Sequence, residues 1–146
     1  MNKRILISIL SVIALLMASC QDNPRYSPLD GFWQVTRVED KASGRVTEGN
    51  NQLYINFEYE LVKLSYFPAD RNPGTSAREY IAQFTLKSDT LRFGTFYKYL
   101  HEDTEAPAEA LAPFGLAPGG NTFILTAGTN RMELDSPTAH LFLTKY

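Results

Sequence analysis

Short runs of alternating apolar and polar residues, turn chemistry between the runs, and a single stretch that breaks the rhythm predict an all-β fold. Seven or eight antiparallel strands with one short helix fit that pattern, arranged as a barrel or a sandwich. A parallel α/β sheet would need a helix after nearly every strand, and the chain has room for one. Its 146 residues suit a single domain, 44% of them are apolar and 12% aromatic, and a chain of this size buries roughly two thirds of its surface on folding. Charge is nearly balanced, 14 Lys and Arg against 16 Asp and Glu, with no basic stretch. No nucleic-acid partner is expected, because neutralising phosphates needs clustered cations. A single cysteine excludes an intramolecular disulfide and any multi-thiolate zinc site.

The elements follow in order. Regular structure begins near Gly31, and residues 32–39 place Trp33 and Val35 on one face. The Gly- and Asn-rich residues 40–51 form a loop. In 52–59, Leu53, Ile55, Phe57 and Tyr59 face one way; in 61–66 the apolar phase passes to Val62, Leu64 and Tyr66. Either a tight turn at 58–60 separates two strands or one long strand carries a bulge. Residues 68–77, with two prolines, are a loop; 79–87 alternates again through Tyr80, Ala82, Phe84 and Leu86. Ser88 and Asp89 form a two-residue hairpin turn before Leu91 and Phe93. The exception is 101–120, where Thr104 caps a short helix running to Ala112, with Pro107 in its first turn. Three more strands, 122–127, 131–136 and 139–146, complete the chain.

Residues 1–19 read as an export signal. Lys3 and Arg4 precede an apolar run, 5–18, that is too short for a mature spanning helix of ~20 residues. The run ends in Leu16-Met17-Ala18-Ser19-Cys20, which resembles the lipobox of bacterial lipoproteins. In that family the cysteine sulfur receives a diacylglycerol, the preceding peptide is removed and the new amine is acylated. The resemblance thus implies lipidation of Cys20 and membrane anchoring through it, since several acyl chains suffice for stable attachment. Gln21, standing where an Asp favours inner-membrane retention in Gram-negative lipoproteins, points to the outer membrane, periplasmic or surface face. Residues 20–28, with Pro24 and Pro28, make an extended tether to a domain over 29–146.

Gly31-Phe32-Trp33 at the first strand resembles the Gly-x-Trp signature of the lipocalins, in which the Trp plugs one end of an up-and-down barrel. The Phe57…Leu61-Val62-Lys63-Leu64 segment, Pro113-Phe114-Gly115-Leu116 and the closing Leu141-Phe142-Leu143-Thr144-Lys145-Tyr146 look like the lipocalin-like domains of Gram-negative envelope lipoproteins. The resemblance implies a lipocalin-like up-and-down barrel of about eight strands, with a small apolar or amphiphilic molecule as ligand. Lipocalins usually pair an Arg of the last strand with the Trp; here Lys145 or Arg131 takes that place.

Trp33, Phe57, Tyr80, Phe84, Phe93 and Phe123 fall on the inferred inward phase and are the candidate cavity lining. An eight-stranded barrel is just wide enough to be packed solid or to hold one small ligand. Tyr54, Tyr66 and Tyr97 point outward as a stacking surface for a sugar or a protein partner. Catalytic chemistry finds little footing. His101 and His140 have no second His at ligand spacing, and His101-Glu102-Asp103 reads as a solvated loop. Asp135, Ser136 and His140 invite a triad, but Pro137 makes the segment a turn and no Gly-x-Ser-x-Gly elbow is present. Glu58 and Glu60 read as an exposed hairpin tip beside Lys63. No metal, no cofactor and no enzymatic activity are expected. The two readings are a lipid-anchored barrel that binds a small molecule and a filled, non-catalytic barrel that docks an envelope protein or glycan.

Overall fold

A computed structural model describes residues 28–69 and 76–146. The signal, Cys20, nearly all of the tether and part of the 68–77 loop lie outside those residues. Eleven strands form among the described residues: β1 Gly31–Asp40, β2 Val46–Glu48, β3 Leu53–Glu58, β4 Leu61–Tyr66, β5 Arg78–Lys87, β6 Thr90–Phe93, β7 Tyr97–Lys98, β8 His101–Glu105, β9 Asn121–Ala127, β10 Arg131–Asp135 and β11 Ala139–Lys145. A four-residue helix, α1 (Ala108–Leu111), runs into a 3-10 turn at Ala112–Phe114.

Eight of the strands close a ring in the order β1-β11-β10-β9-β6-β5-β4-β3, antiparallel throughout, with β4 pairing both β3 and β5. β2 pairs with β1, while the β7–β8 hairpin extends from the start of β5. The connections alternate between two ends. One end, here the hairpin end, carries the start of β1, the turns β3–β4, β5–β6 and β9–β10, and the finish of β11. The other, the mouth, carries the long connections and the β10–β11 turn.

The sequence alternation holds because every second side chain enters the ring. A bulge in the β1–β11 register between Val35 and Arg37 shifts the phase of β1, so that Trp33, Val35 and Val38 are all buried. The choice at 58–60 resolves as a turn. Glu58 pairs with Leu61, and Tyr59 adopts a left-handed φ of 55°. Ser88 does the same at the β5–β6 turn, φ 56°.

Three expectations change. The 40–51 loop contains β2, whose three side chains are all exposed and so carry no burial pattern. The helix is shorter than the span from Thr104 to Ala112: Thr104 lies in β8, and Pro107, extended at φ −69° and ψ 154°, is the N-cap of α1. Tyr54 and Tyr66 are not free outer surface. Tyr66 packs against the core, and Tyr54 is only 7% exposed, stacked on Phe32 at 5.0 Å with Phe67 and Tyr146 edge-on at 5.5 Å. An outer aromatic cluster covers it; Tyr66 and Tyr97 are half-buried.

Candidate functional site

The barrel interior is filled from the aromatic positions outward. Phe57, from β3, meets the Phe84 ring of β5 edge-on at 5.2 Å and the Phe93 ring of β6 at 6.1 Å. Phe93 also touches Phe96 at 5.8 Å and Phe123, from β9, at 5.7 Å. Such centroid separations lie in the range where aromatic pairs attract beyond their area burial. Phe57, Phe84, Phe93 and Phe123 are each at most 3% exposed. Of the six residues assigned to a cavity lining, these four form one contiguous cluster. Trp33 lies toward the hairpin end, and Tyr80, half-buried near the start of β5, lies toward the mouth.

At the hairpin end Trp33 is completely buried, and its Nε1 donates to the Leu29 carbonyl at 2.8 Å. Lys145, not Arg131, supplies the cation, its Nζ 5.3 Å from the Trp33 ring centroid. The glycine of Gly31-Phe32-Trp33 has a physical reason: Gly31 adopts φ +119°, and a Cβ there would stand 3.3 Å from Lys145 Cε.

A different device closes the mouth. Leu111, Phe114 and Leu116, from the connection between β6 and β9, are buried members of the core. Gly115 turns the chain with φ +66°, and a Cβ would fall 2.9 Å from Val38 Cγ1 and 3.0 Å from the Ala139 Cβ. Those partners sit at the mouth end of β1 and β11, so the segment seats inside the rim. The sequence expectation for this connection is a short helix alone; that residues 106–117 fill the mouth is signalled only by the apolar residues Leu111, Phe114 and Leu116 at irregular spacing.

Open clefts flank this plug. One, of about 570 Å3, is lined by Tyr80, Arg78, Lys98, Tyr99, Leu100 and Glu109 among others. The second, of about 640 Å3, lies on the other side, against Val38, Arg45, Glu109, Leu116 and Ala139. Both volumes suit a small ligand. Lys63 connects to the first cleft from the barrel wall: its ammonium pairs with Glu79 at 3.0 Å and sits 5.2 Å from the Tyr99 ring centroid. It therefore serves Glu79 rather than the Glu58–Glu60 tip.

Polar groups elsewhere are tied into the surface. His140 Nε2 lies 3.0 Å from Glu133 Oε2, and the imidazole stacks on Phe142 at 4.2 Å. Its Nδ1 is 3.8 Å from Asp135. The hydroxyl of Ser136 bonds to the Ala139 carbonyl within its own turn, so the Asp135, Ser136 and His140 side chains do not form a nucleophile–base chain. Lys41, 2.6 Å from Asp135, holds that carboxyl below its ordinary range against the opposing cost of burial. Asp40 is lowered too, by hydrogen bonds from the Ser43 and Ala42 amides. Among the described residues no three His, Cys, Asp or Glu side chains converge as metal ligands. His101, Glu102 and Asp103 are exposed along β8, a strand rather than the loop expected.

The comparisons agree with this architecture. A lipocalin-like protein from Bacteroides uniformis superposes with a TM-score of 0.59 at 16% identity, covering 82% of this chain and 99% of that one. An uncharacterised protein from Bacteroides eggerthii gives 0.63 at 19% identity over 81% and 99%. At such identities the likeness concerns the fold. No curated protein matches. Residues 15–146 match the family described as the lipocalin-like domain. The chain belongs to that family.

Proposed function

We propose that the protein is an outer-membrane lipoprotein, anchored through acylated Cys20, whose barrel binds a small amphiphilic molecule without catalysing a reaction on it. The observation that carries the reading is the cleft of about 570 Å3 beside the mouth plug. Its lining combines Tyr80, Tyr99, Leu100 and Pro107 with Arg78, Lys98 and Glu109, an apolar wall with a few placed charges, as small-molecule sites usually have. The mouth is favoured over the interior because Phe57, Phe84, Phe93 and Phe123 occupy the middle of the barrel against one another. No chemistry at a nucleophile is invoked, since Ser136 spends its hydroxyl within its turn.

The packed interior also favours the second reading, a filled module that docks an envelope protein or a glycan. Native mass spectrometry of the full-length protein extracted from cells separates the two. The expected result is a co-purifying small molecule that is lost on Tyr99→Ala and retained on Ile124→Ala, an exposed position on β9. Repeated ligand-free preparations would overturn small-molecule binding in favour of docking. A soluble protein with an unmodified Cys20 would overturn the anchor.

A further inference from the structure

Phe32 and Tyr146 of the outer aromatic cluster, the exposed residues beside them and the entry of the chain lie at the hairpin end. Tyr59, at the tip of the β3–β4 turn, and Tyr146, just beyond β11, are each 80% exposed, and Leu61, which opens β4, is 43% exposed. Tyr146 rests on Phe32 and Tyr54 at 5.8 and 5.5 Å, and its amide donates to the Phe32 carbonyl, which fixes the ring in place. The charged side chains at this end are of both signs: Lys87, Arg131 and Lys145 stand among Asp30, Glu58, Glu60 and Asp89, all exposed. Tyrosines with an apolar body and a wet hydroxyl, set among charges that nearly cancel, match the membrane–water interface, where Tyr is enriched. They do not make a polybasic patch for anionic lipid.

The position of the chain commits this surface to one occupant. Leu29 is fully buried and held by Trp33 Nε1, so the polypeptide leaves the barrel at the hairpin end. Only eight residue steps separate Cys20 from Pro28, and in any conformation these span at most about 29 Å. The mouth also exposes Leu100 and Val46, but it lies a full barrel length farther from that exit.

We infer that the hairpin end is a membrane-facing surface, on which Tyr59, Leu61 and Tyr146 settle into the headgroup region and point the plugged mouth and its clefts at the aqueous phase. This rests on the proposed acylation of Cys20. It adds an orientation that a tether alone would not impose.

The test uses full-length protein processed in cells and placed in phosphatidylethanolamine–phosphatidylglycerol vesicles. Glu60→Cys and Asn130→Cys report on the hairpin end and Ala42→Cys on the mouth, each carrying an environment-sensitive maleimide dye. Wild-type protein is the control, because an acylated Cys20 takes no dye and a free one does. Quenching by headgroup-attached nitroxides is expected to be several-fold stronger at positions 60 and 130 than at 42, and to change little with added salt. Tyr59→Ser combined with Leu61→Ser should erase the difference while the protein stays membrane-bound and folded. Equal quenching at both ends, with Cys20 blocked, overturns the surface and leaves the anchor standing. A reactive Cys20 with selective quenching at 60 and 130 overturns the anchor and keeps the surface. A reactive Cys20 with no quenching overturns both.

Discussion

The two ends of the barrel are closed by opposite means. At the hairpin end one side chain suffices. Trp33 enters from β1 itself, is hydrogen-bonded to Leu29 four residues earlier, and lies under a cation from the paired strand β11. At the mouth the closing groups come from a separate connection, in which a four-residue helix and a 3-10 turn deliver Leu111, Phe114 and Leu116. The first closure uses residues already fixed by the sheet. The second depends on a segment that has few regular hydrogen bonds of its own and clefts on both flanks. A short helix of this kind is held by packing rather than by its own propensity. The mouth should therefore open locally well before the hairpin end does.

Three substitutions test that contrast. The largest effect is expected from Trp33→Ala, which empties a fully buried site and strips the Leu29 carbonyl of its donor. A loss of about 3–5 kcal/mol in unfolding free energy is expected from the cavity alone, measured by urea denaturation, and it should appear across the whole barrel. A variant that unfolds like wild type would show that the hairpin end is not the stable one. Gly115→Val comes next, at about 1–3 kcal/mol for overpacking, because its side chain would collide with Val38 and Ala139. Here amide exchange should rise in residues 106–117 while β1 and β11 near Trp33 stay protected. Uniform loss of protection would mean that plug and barrel are one cooperative unit. The smallest change is Lys145→Met, which keeps the stem and removes the cation over Trp33. A loss of roughly 0.5–1 kcal/mol is expected for an exposed cation–π contact, and Trp33 emission should shift with it. No change in either signal would make Lys145 a bystander.

Much of the barrel could be read from alternation alone, because a closed sheet buries every second residue and tolerates nothing else there. Alternation places Phe57, Phe84, Phe93 and Phe123 inward, and all four are buried. Legibility failed where alternation stopped carrying information. β2 is exposed on every residue, and its pairing with β1 leaves no apolar trace. Thr104 looked like a helix cap, yet β8 pairs it into an exposed hairpin and Pro107 delays the helix. Tyr54 read as surface because it sits on the outer phase; Phe32, Phe67 and Tyr146, distant in sequence, cover it.

The amino-acid order by itself determined the strand periodicity, the turn at Ser88 and Asp89, the single domain and the place of Trp33 on the first strand, since these depend on neighbours within a few residues. Tertiary structure alone decided that the ring closes through β4 and β5, that Lys145 rather than Arg131 lies over Trp33, and that residues 106–117 fill the mouth. Those outcomes depend on which of several chemically adequate partners is brought within reach when the sheet closes. Reach is a property of strand order and register, which no local stretch of residues encodes.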